Sequence, residues 1–367
     1  MRKVKVGIIG CGNISPIYFE AGKKFDILDI VACSDLDLDR ARARAEEFGV
    51  PKACTVDELL ADPEIEIVIN LTIPAAHAEI HLRALEAGKH TYGEKPLAIR
   101  LEDGQTILAA AKRRNLLVGS APDTFLGGGI QTCRKLIDDG WIGKPIAATA
   151  FMMGSGPESW HPNPGFLYQV GAGPMFDMGP YYLTALIHLI GPVRRVSGSA
   201  QMTYPERTIT NDIDYGKKIP VEVPTHIAGT IDFENGAVGT IITSVDIWGT
   251  KLPHIEIYGS TGTLIVPDPN TFEGPVYIKR HNQTEFMEIP LTHGFTENSR
   301  GLGVMDMAYA LINGREHRAN GDLAYHVLEL MHGFHLSSER GEHYHVASSC
   351  KQSAALPTDL PKNALNG

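Results

Sequence analysis

The chain has 367 residues, a net charge of −10, 43% hydrophobic and 21% charged residues, which is too long for one ordinary core and too apolar for a disordered chain. The acidic balance argues against nucleic acid as a partner, since phosphate backbones call for clustered Lys and Arg. No run approaches the roughly 18 apolar residues of a membrane span, a cleavable leader is not expected from the short first apolar run, and the five cysteines show no paired spacing. Reduced thiols, no membrane partner and a cytoplasmic location are therefore expected.

The first element is a short apolar run, Val4-Lys5-Val6-Gly7-Ile8-Ile9, which reads as a strand buried on both faces. It breaks at Gly10 and Gly12, and a helix follows from near Ile14. Strand, glycine turn and helix form the context in which backbone N–H groups cradle a dinucleotide diphosphate. Ser15 stands where the fingerprint has its third glycine, and its hydroxyl could donate to a phosphate. The next strand, Leu28 to Ser34, ends in Asp35. That acid lies roughly 20 residues beyond the glycines, placed to accept from adenosine ribose hydroxyls. Its charge would repel a 2′-phosphate, which favours NAD over NADP, although Arg40 is near enough to bind such a phosphate.

Strand and helix then alternate to about residue 122. Helical spacing covers 36–48, 56–61, 75–87 and 101–114, and strand patterns cover 53–55, 65–71, 90–93 and 116–120. The rhythm predicts a parallel sheet with ligands at the carboxyl ends of its strands, where Asn70 to Pro74, Glu94 to Pro96 and Ala121 to Thr124 (with Asp123) fall. After a helix near 129–138 the pattern changes to strands at 146–152, 193–200, 226–233, 237–244, 254–259, 263–266 and 276–279, joined in part by tight turns typical of antiparallel pairing. A glycine-rich loop (154–173) and a helix over 177–190 interrupt them. Helices near 299–313 and 322–338 close this domain, and the polar tail from Glu339 is expected to be loosely held. The fold class expected is α/β: a dinucleotide-binding domain with a parallel sheet over 1–122 and a second domain over 123–367 with mainly antiparallel strands.

Three groups carry candidate chemistry. Lys95, aimed by the turn Glu94-Lys95-Pro96 at a strand end, suits acid–base work beside a nicotinamide. Asp177 and Tyr181 are four apart, so one helix would put them on one face, with Tyr182 adjoining. Trp160-His161-Pro162-Asn163-Pro164 is a rigid polar and aromatic stretch suited to a hydroxylated ligand. His77 and His81 lack the spacing of a zinc-protease motif, and no metal is expected.

These motifs resemble the glucose–fructose oxidoreductase / inositol dehydrogenase / rhizopine-catabolism family of NAD(P)-dependent oxidoreductases. The resemblance rests on the glycine turn, Asp35, Glu94-Lys95-Pro96 and Asp177-x-Gly179-x-Tyr181. It implies a Rossmann domain over 1–122 followed by an α+β domain over 123–367 with a large open, mainly antiparallel sheet, and that Gly10, Gly12, Asn13 and Ile14 hold the diphosphate and Asp35 the ribose. It further implies that Asn70, Thr72, Pro74 and His77 line the cofactor cleft, with Glu94 near the nicotinamide ribose. Lys95 is implied as the catalytic lysine, Asp177 as a positioning group for a sugar or cyclitol, and a dimer or tetramer as the assembly. Inositol dehydrogenase-like members carry histidine where Tyr181 stands, whereas glucose–fructose oxidoreductase-like members carry tyrosine. Two relays therefore stay open: Tyr181 exchanging the proton with Lys95 beside it, or Lys95 alone. The substrate set expected is Lys95, Asp123, Trp160, His161, Asn163, Asp177, Tyr181 and Tyr182. Hydride transfer to or from a sugar, polyol, cyclitol or glycoside is the leading activity. A redox-neutral use of tightly held NAD and a non-catalytic sensor are the alternatives.

Overall fold

The computed structural model describes residues 2–358 and 360. The chain divides into two compact units that are not contiguous in sequence. The first takes Met1–Gln131, Thr292–Leu328 and the segment beginning at Ser353; the second takes Thr132–Leu291 and Glu329–Gln352. A single cut after residue 122 does not follow these units, because the chain returns to the first one after its long excursion.

The first unit is built from β1 (Val4–Ile9), α1 (Ser15–Lys24), β2 (Leu28–Ser34), α2 (Leu38–Phe48), β3 (Lys52–Ala53), α3 (Val56–Ala61), β4 (Ile67–Asn70), α4 (Pro74–Glu86), β5 (His90–Gly93), α5 (Leu101–Arg114) and β6 (Val118–Ser120). The strands form one sheet in the order β3-β2-β1-β4-β5-β6, with every pairing parallel. This is the doubly wound order, with a reversal of strand progression beside β1 where ligands enter such sheets. Local chemistry explains the helix ends. Asp37 caps α2 by accepting from the N–H groups of Asp39 and Arg40, and Gly49 ends it in the left-handed region at φ 73°. Thr55 and Glu58 form a reciprocal capping box on α3. Ile9, Ala32, Leu59, Ile65, Val68 and Ile80 are among the buried residues of the core on one side of this sheet.

The chain continues through α6 (Gly128–Asp138), β7 (Pro145–Met153), α7 (Pro174–Asp177), α8 (Gly179–Ile190) and β8 (Val193–Gln201). A hairpin, β9 (Glu206–Thr208) with β10 (Lys218–Pro220), precedes β11 (His226–Phe233), β12 (Val238–Ser244), β13 (Ile255–Gly259), β14 (Gly262–Val266), β15 (Val276–Arg280) and β16 (Met287–Ile289). Then come α9 (Leu302–Asn313), α10 (Gly321–Arg340) and β17 (Tyr344–His345). In the second unit a nine-stranded sheet runs β16-β15-β14-β13-β7-β12-β11-β8-β17. It is antiparallel except where β12 pairs with β7 in parallel. Every residue of α8 is buried.

Two sequence expectations change here. The helix expected over 177–190 is broken at Met178 (φ −109°, ψ −26°), which separates α7 from α8. Pro180 in the first turn of α8 has no N–H to continue a ladder from α7. Nor are the described residues after Glu339 all loose. Residues 344–345 pair with β8, and in the first unit Leu356 donates its N–H to Gln131 Oε1 at 2.7 Å and lies 4% exposed. Among the described residues, no helix is long and apolar enough to cross a membrane.

Candidate active site

The glycine turn leaves β1 and enters α1. Gly10 adopts φ +103°, and a Cβ there would meet Leu71 O at 2.5 Å, so both conformation and packing require glycine. Gly12 differs: a Cβ there would meet nothing within 4 Å. The space above Gly12 is open, and α1 starts without a side-chain cap. An open cradle at an uncapped helix start is what an anionic diphosphate needs. Ser15 is fully buried and donates its hydroxyl to Gly12 O at 2.8 Å. It therefore closes the turn instead of offering a hydroxyl to a phosphate, as its place in the sequence had suggested.

Asp35 stands just past β2. Its Oδ2 accepts the Cys11 N–H at 2.8 Å, and its Oδ1 accepts the Asp37 N–H at 2.9 Å. Arg40 reaches both Asp35 and Asp37. The acid therefore ties the glycine turn to the end of β2, a role the spacing alone did not reveal.

Asn70 and Thr72 follow β4. Asn70 Nδ2 donates to His77 O at 3.0 Å, while its Oδ1 accepts from the Thr72 hydroxyl at 2.6 Å. Pro74 is the first residue of α4 and is exposed. His77, expected to line the cleft, is instead buried, 1% exposed, with its ring nitrogens against Pro96 O and Thr72 O. Glu94 follows β5. Its Oε1 accepts the Tyr18 hydroxyl at 2.7 Å, and its Oε2 accepts the Lys95 N–H at 3.2 Å. Lys95 is half-buried and precedes a cis bond to Pro96. Because the sheet is parallel, the turns carrying Gly12, Asp35, Thr72 and Lys95 all leave the same edge.

Asp123 does not join them as a substrate ligand. Its carboxylate is 1% exposed, and Oδ2 accepts the N–H groups of Gly301 and Gly303, both at 2.9 Å. It is spent on the start of α9, and burial pushes its pKa up to about 6.

In the second unit Asp177 ends α7 and Tyr181 lies in the first turn of α8, 8% exposed. With the break at Met178, the two do not ride one continuous helix. Tyr182 is 1% exposed and its hydroxyl meets His254 Nδ1 at 2.8 Å, so it serves packing and not an open pocket. Trp160 is 71% exposed, and its ring meets that of His161 edge-on. His161 Nδ1 accepts the Asn163 N–H at 3.0 Å, and Asn211 holds the His161 carbonyl at 2.6 Å.

Sequence reasoning missed the anchor of this loop. Arg207, on β9, pairs with Glu158 and Asp246 and donates to the carbonyls of Ser155 and Val245. The three side chains are 12%, 10% and 6% exposed. Glu158 also accepts from Tyr168, and its carbonyl receives the N–H groups of Thr210 and Asn211. The hairpin thus braces the segment carrying Trp160, His161 and Asn163. Among the described residues, no group of three or more His, Cys, Asp or Glu is placed to hold a metal ion.

Comparison with known proteins identifies the family. A family model described as an oxidoreductase family with an NAD-binding Rossmann fold matches residues 4–121. The GFO/IDH/MocA C-terminal domain matches residues 130–265. Myo-inositol 2-dehydrogenase of Thermotoga maritima is 26% identical over 263 residues, covering 71% of this chain and 74% of that protein. A scyllo-inositol 2-dehydrogenase (NADP(+)) of Bacillus subtilis is 28% identical over 298 residues, covering 73% and 80%. Levoglucosan dehydrogenase in complex with NADH and L-sorbose shares the fold at a TM-score of 0.83 and 21% identity, over 95% of this chain and 100% of that one. The chain belongs to the GFO/IDH/MocA family of NAD-binding oxidoreductases.

Proposed function

We propose that the protein moves a hydride between NAD and a CH–OH or keto carbon of a sugar, polyol or cyclitol. The observation that carries this reading is the shared sheet edge: an open space over Gly12 and the turn bearing Lys95 leave the same parallel sheet. Bound NAD supplies the hydride acceptor. Gly12, Asn13 and Ile14 present the turn to the diphosphate, and Asp35 faces the ribose. Arg40 is shared between two carboxylates, which supports NAD over NADP because a 2′-phosphate would meet Asp35 and Asp37.

As the hydride leaves carbon, the hydroxyl proton needs an acceptor. Lys95 fills that role in this reading, either directly or by favouring the phenolate of Tyr181, which then takes the proton. Asp177 orients the substrate, while Trp160, His161 and Asn163 recognise its remaining hydroxyls. The names of the relatives support the substrate class: inositols and levoglucosan are all polyhydroxylated rings. Thr240, exposed on β12, and its half-buried register partner Thr149 on β7 leave part of the second unit's sheet uncovered. That supports a homo-oligomer.

The test is a panel of cyclitols, hexoses and anhydrosugars assayed for NADH formation, with NAD and NADP in parallel. Turnover with at least one member is expected, and Lys95→Ala should remove it by at least a hundredfold while NAD binding stays within threefold. Undiminished turnover in Lys95→Ala would take the lysine out of the mechanism.

A further inference from the structure

Two histidines lie one turn apart on α4, and the proposed chemistry uses neither. His81 has a simple account: its Nδ1 meets Thr91 Oγ1 at 2.8 Å, and its ring packs on Gly93, where a Cβ would come within 2.5 Å of Nε2. Burial pushes its pKa down to about 3, so it is a neutral packing group. His77 is different. Its Nδ1 lies 2.7 Å from Pro96 O and its Nε2 lies 3.0 Å from Thr72 O. A neutral imidazole has one donor and one acceptor nitrogen, yet this ring faces an acceptor-only carbonyl at both, from two separate loops. One loop follows β4 and carries Thr72, and the other holds Lys95 directly before Pro96.

We infer that His77 is a positioning residue, whose Nδ1–H fixes the Lys95 turn through Pro96 O while its ring bears on the loop at Thr72. This rests on the reading of Lys95 given above. Both main-chain oxygens can only accept, so each asks the ring for a proton. Desolvation outweighs them and holds His77 below the ordinary imidazole range. The charges around it oppose one another: Glu94 favours the imidazolium and Lys95 disfavours it, while His81, on the same helix, is neutral. At neutral pH the ring carries one N–H for two oxygens; the shorter contact takes it, and Nε2 is left with its lone pair toward Thr72 O. The ring is a ligand of the protein's own backbone, and it reaches the reaction only through where it holds Lys95.

Two amide substitutions separate the ring's two sides. The Asn amide occupies the position of Nδ1, and the Gln amide the position of Nε2. His77→Asn should keep kcat within threefold of the parent, whereas His77→Gln and His77→Phe should lose at least tenfold. NAD affinity, measured by quenching of intrinsic fluorescence, should stay within threefold in all three. The 15N spectrum of the cofactor-free parent should show the Nδ1–H tautomer. Equal kcat in the Asn and Gln variants, a larger loss in Asn than in Gln, or an Nε2–H tautomer would overturn the inference. If His77→Phe fails to fold, the Asn–Gln pair still decides. The tautomer is read without turnover, so failure of the lysine mechanism is distinguishable from failure of this assignment.

Discussion

Tyr18, on the helix that follows the glycine turn, donates its hydroxyl to Glu94, the residue before Lys95, at 2.7 Å. The bond joins the helix after the glycine turn, where the diphosphate is proposed to lie, to the proposed proton-transfer turn across 76 residues of sequence. Tyr18 is fully buried, and desolvation together with the Glu94 charge holds its phenol well above the usual tyrosine range. Facing a carboxylate oxygen, it is the donor of this pair. Tyr18→Phe keeps the ring and removes the donor, leaving a half-buried carboxylate oxygen without its partner. A hydrogen bond to a charged group contributes about 1.5–3 kcal/mol, and a loss of that size should appear in urea unfolding. The kcat should fall too, because the Lys95 turn loses one of its ties. An unchanged unfolding curve would mean that water replaces the phenol at Glu94 at no cost.

Asp123 gives a pH-dependent prediction. Burial raises its folded-state pKa to about 6 from an ordinary 3.8, despite the N–H groups of Gly303 and Gly301 and the charge of Arg300, all of which favour the carboxylate. Between these two values the folded chain holds a proton that the unfolded chain has released. Stability from this group is thus complete below the unfolded pKa and is lost as pH rises through the folded one. A rise of about two units corresponds to on the order of 3 kcal/mol. Comparing urea unfolding of the parent and of Asp123→Asn at pH 4 and pH 7 isolates the contribution. The parent should lose stability relative to the variant as pH rises. A difference independent of pH would show that the carboxyl titrates at an ordinary value.

The sheet of the first unit could be read from sequence because its strands are continuous apolar runs and its turns carry glycine, proline or a cap. Val4 to Ile9 and Ile67 to Asn70 are buried strands whatever surrounds them. The turns of the candidate site were legible for the same reason, since they sit where those runs end. Long-range uses of polar groups were not legible. Nothing near Asp123 in sequence announces that Gly301 and Gly303 will present their N–H groups to it. His77 is implied by the family resemblance to line the cleft, yet its ring is turned toward Pro96. Arg207 sits in a polar hairpin that looks like any solvated loop, and only folding brings Glu158 and Asp246 to it. The return of residues 292–328 to the first unit is likewise a tertiary fact. Helix α9 reads the same in sequence whichever unit it serves.

Gly10 and Gly12 are two residues apart and look alike in sequence, but the structure gives them different reasons to be glycine. At Gly10 a side chain would strike the Leu71 carbonyl from a backbone already at φ +103°, so Gly10→Ala combines a steric clash with left-handed strain. It should destabilise the first unit by at least about 2 kcal/mol with or without cofactor. At Gly12 the added methyl meets only open space in the free chain, so Gly12→Ala should change stability by less than about 0.5 kcal/mol. The same methyl projects into the space where the diphosphate is proposed to lie, and NAD binding should weaken at least tenfold. Thermal unfolding with and without NAD separates the two variants. Gly10→Ala should melt lower in both conditions, whereas Gly12→Ala should match the parent alone and lack its stabilisation by the cofactor. Normal NAD affinity in Gly12→Ala would place the diphosphate elsewhere and undo the cofactor assignment at its base.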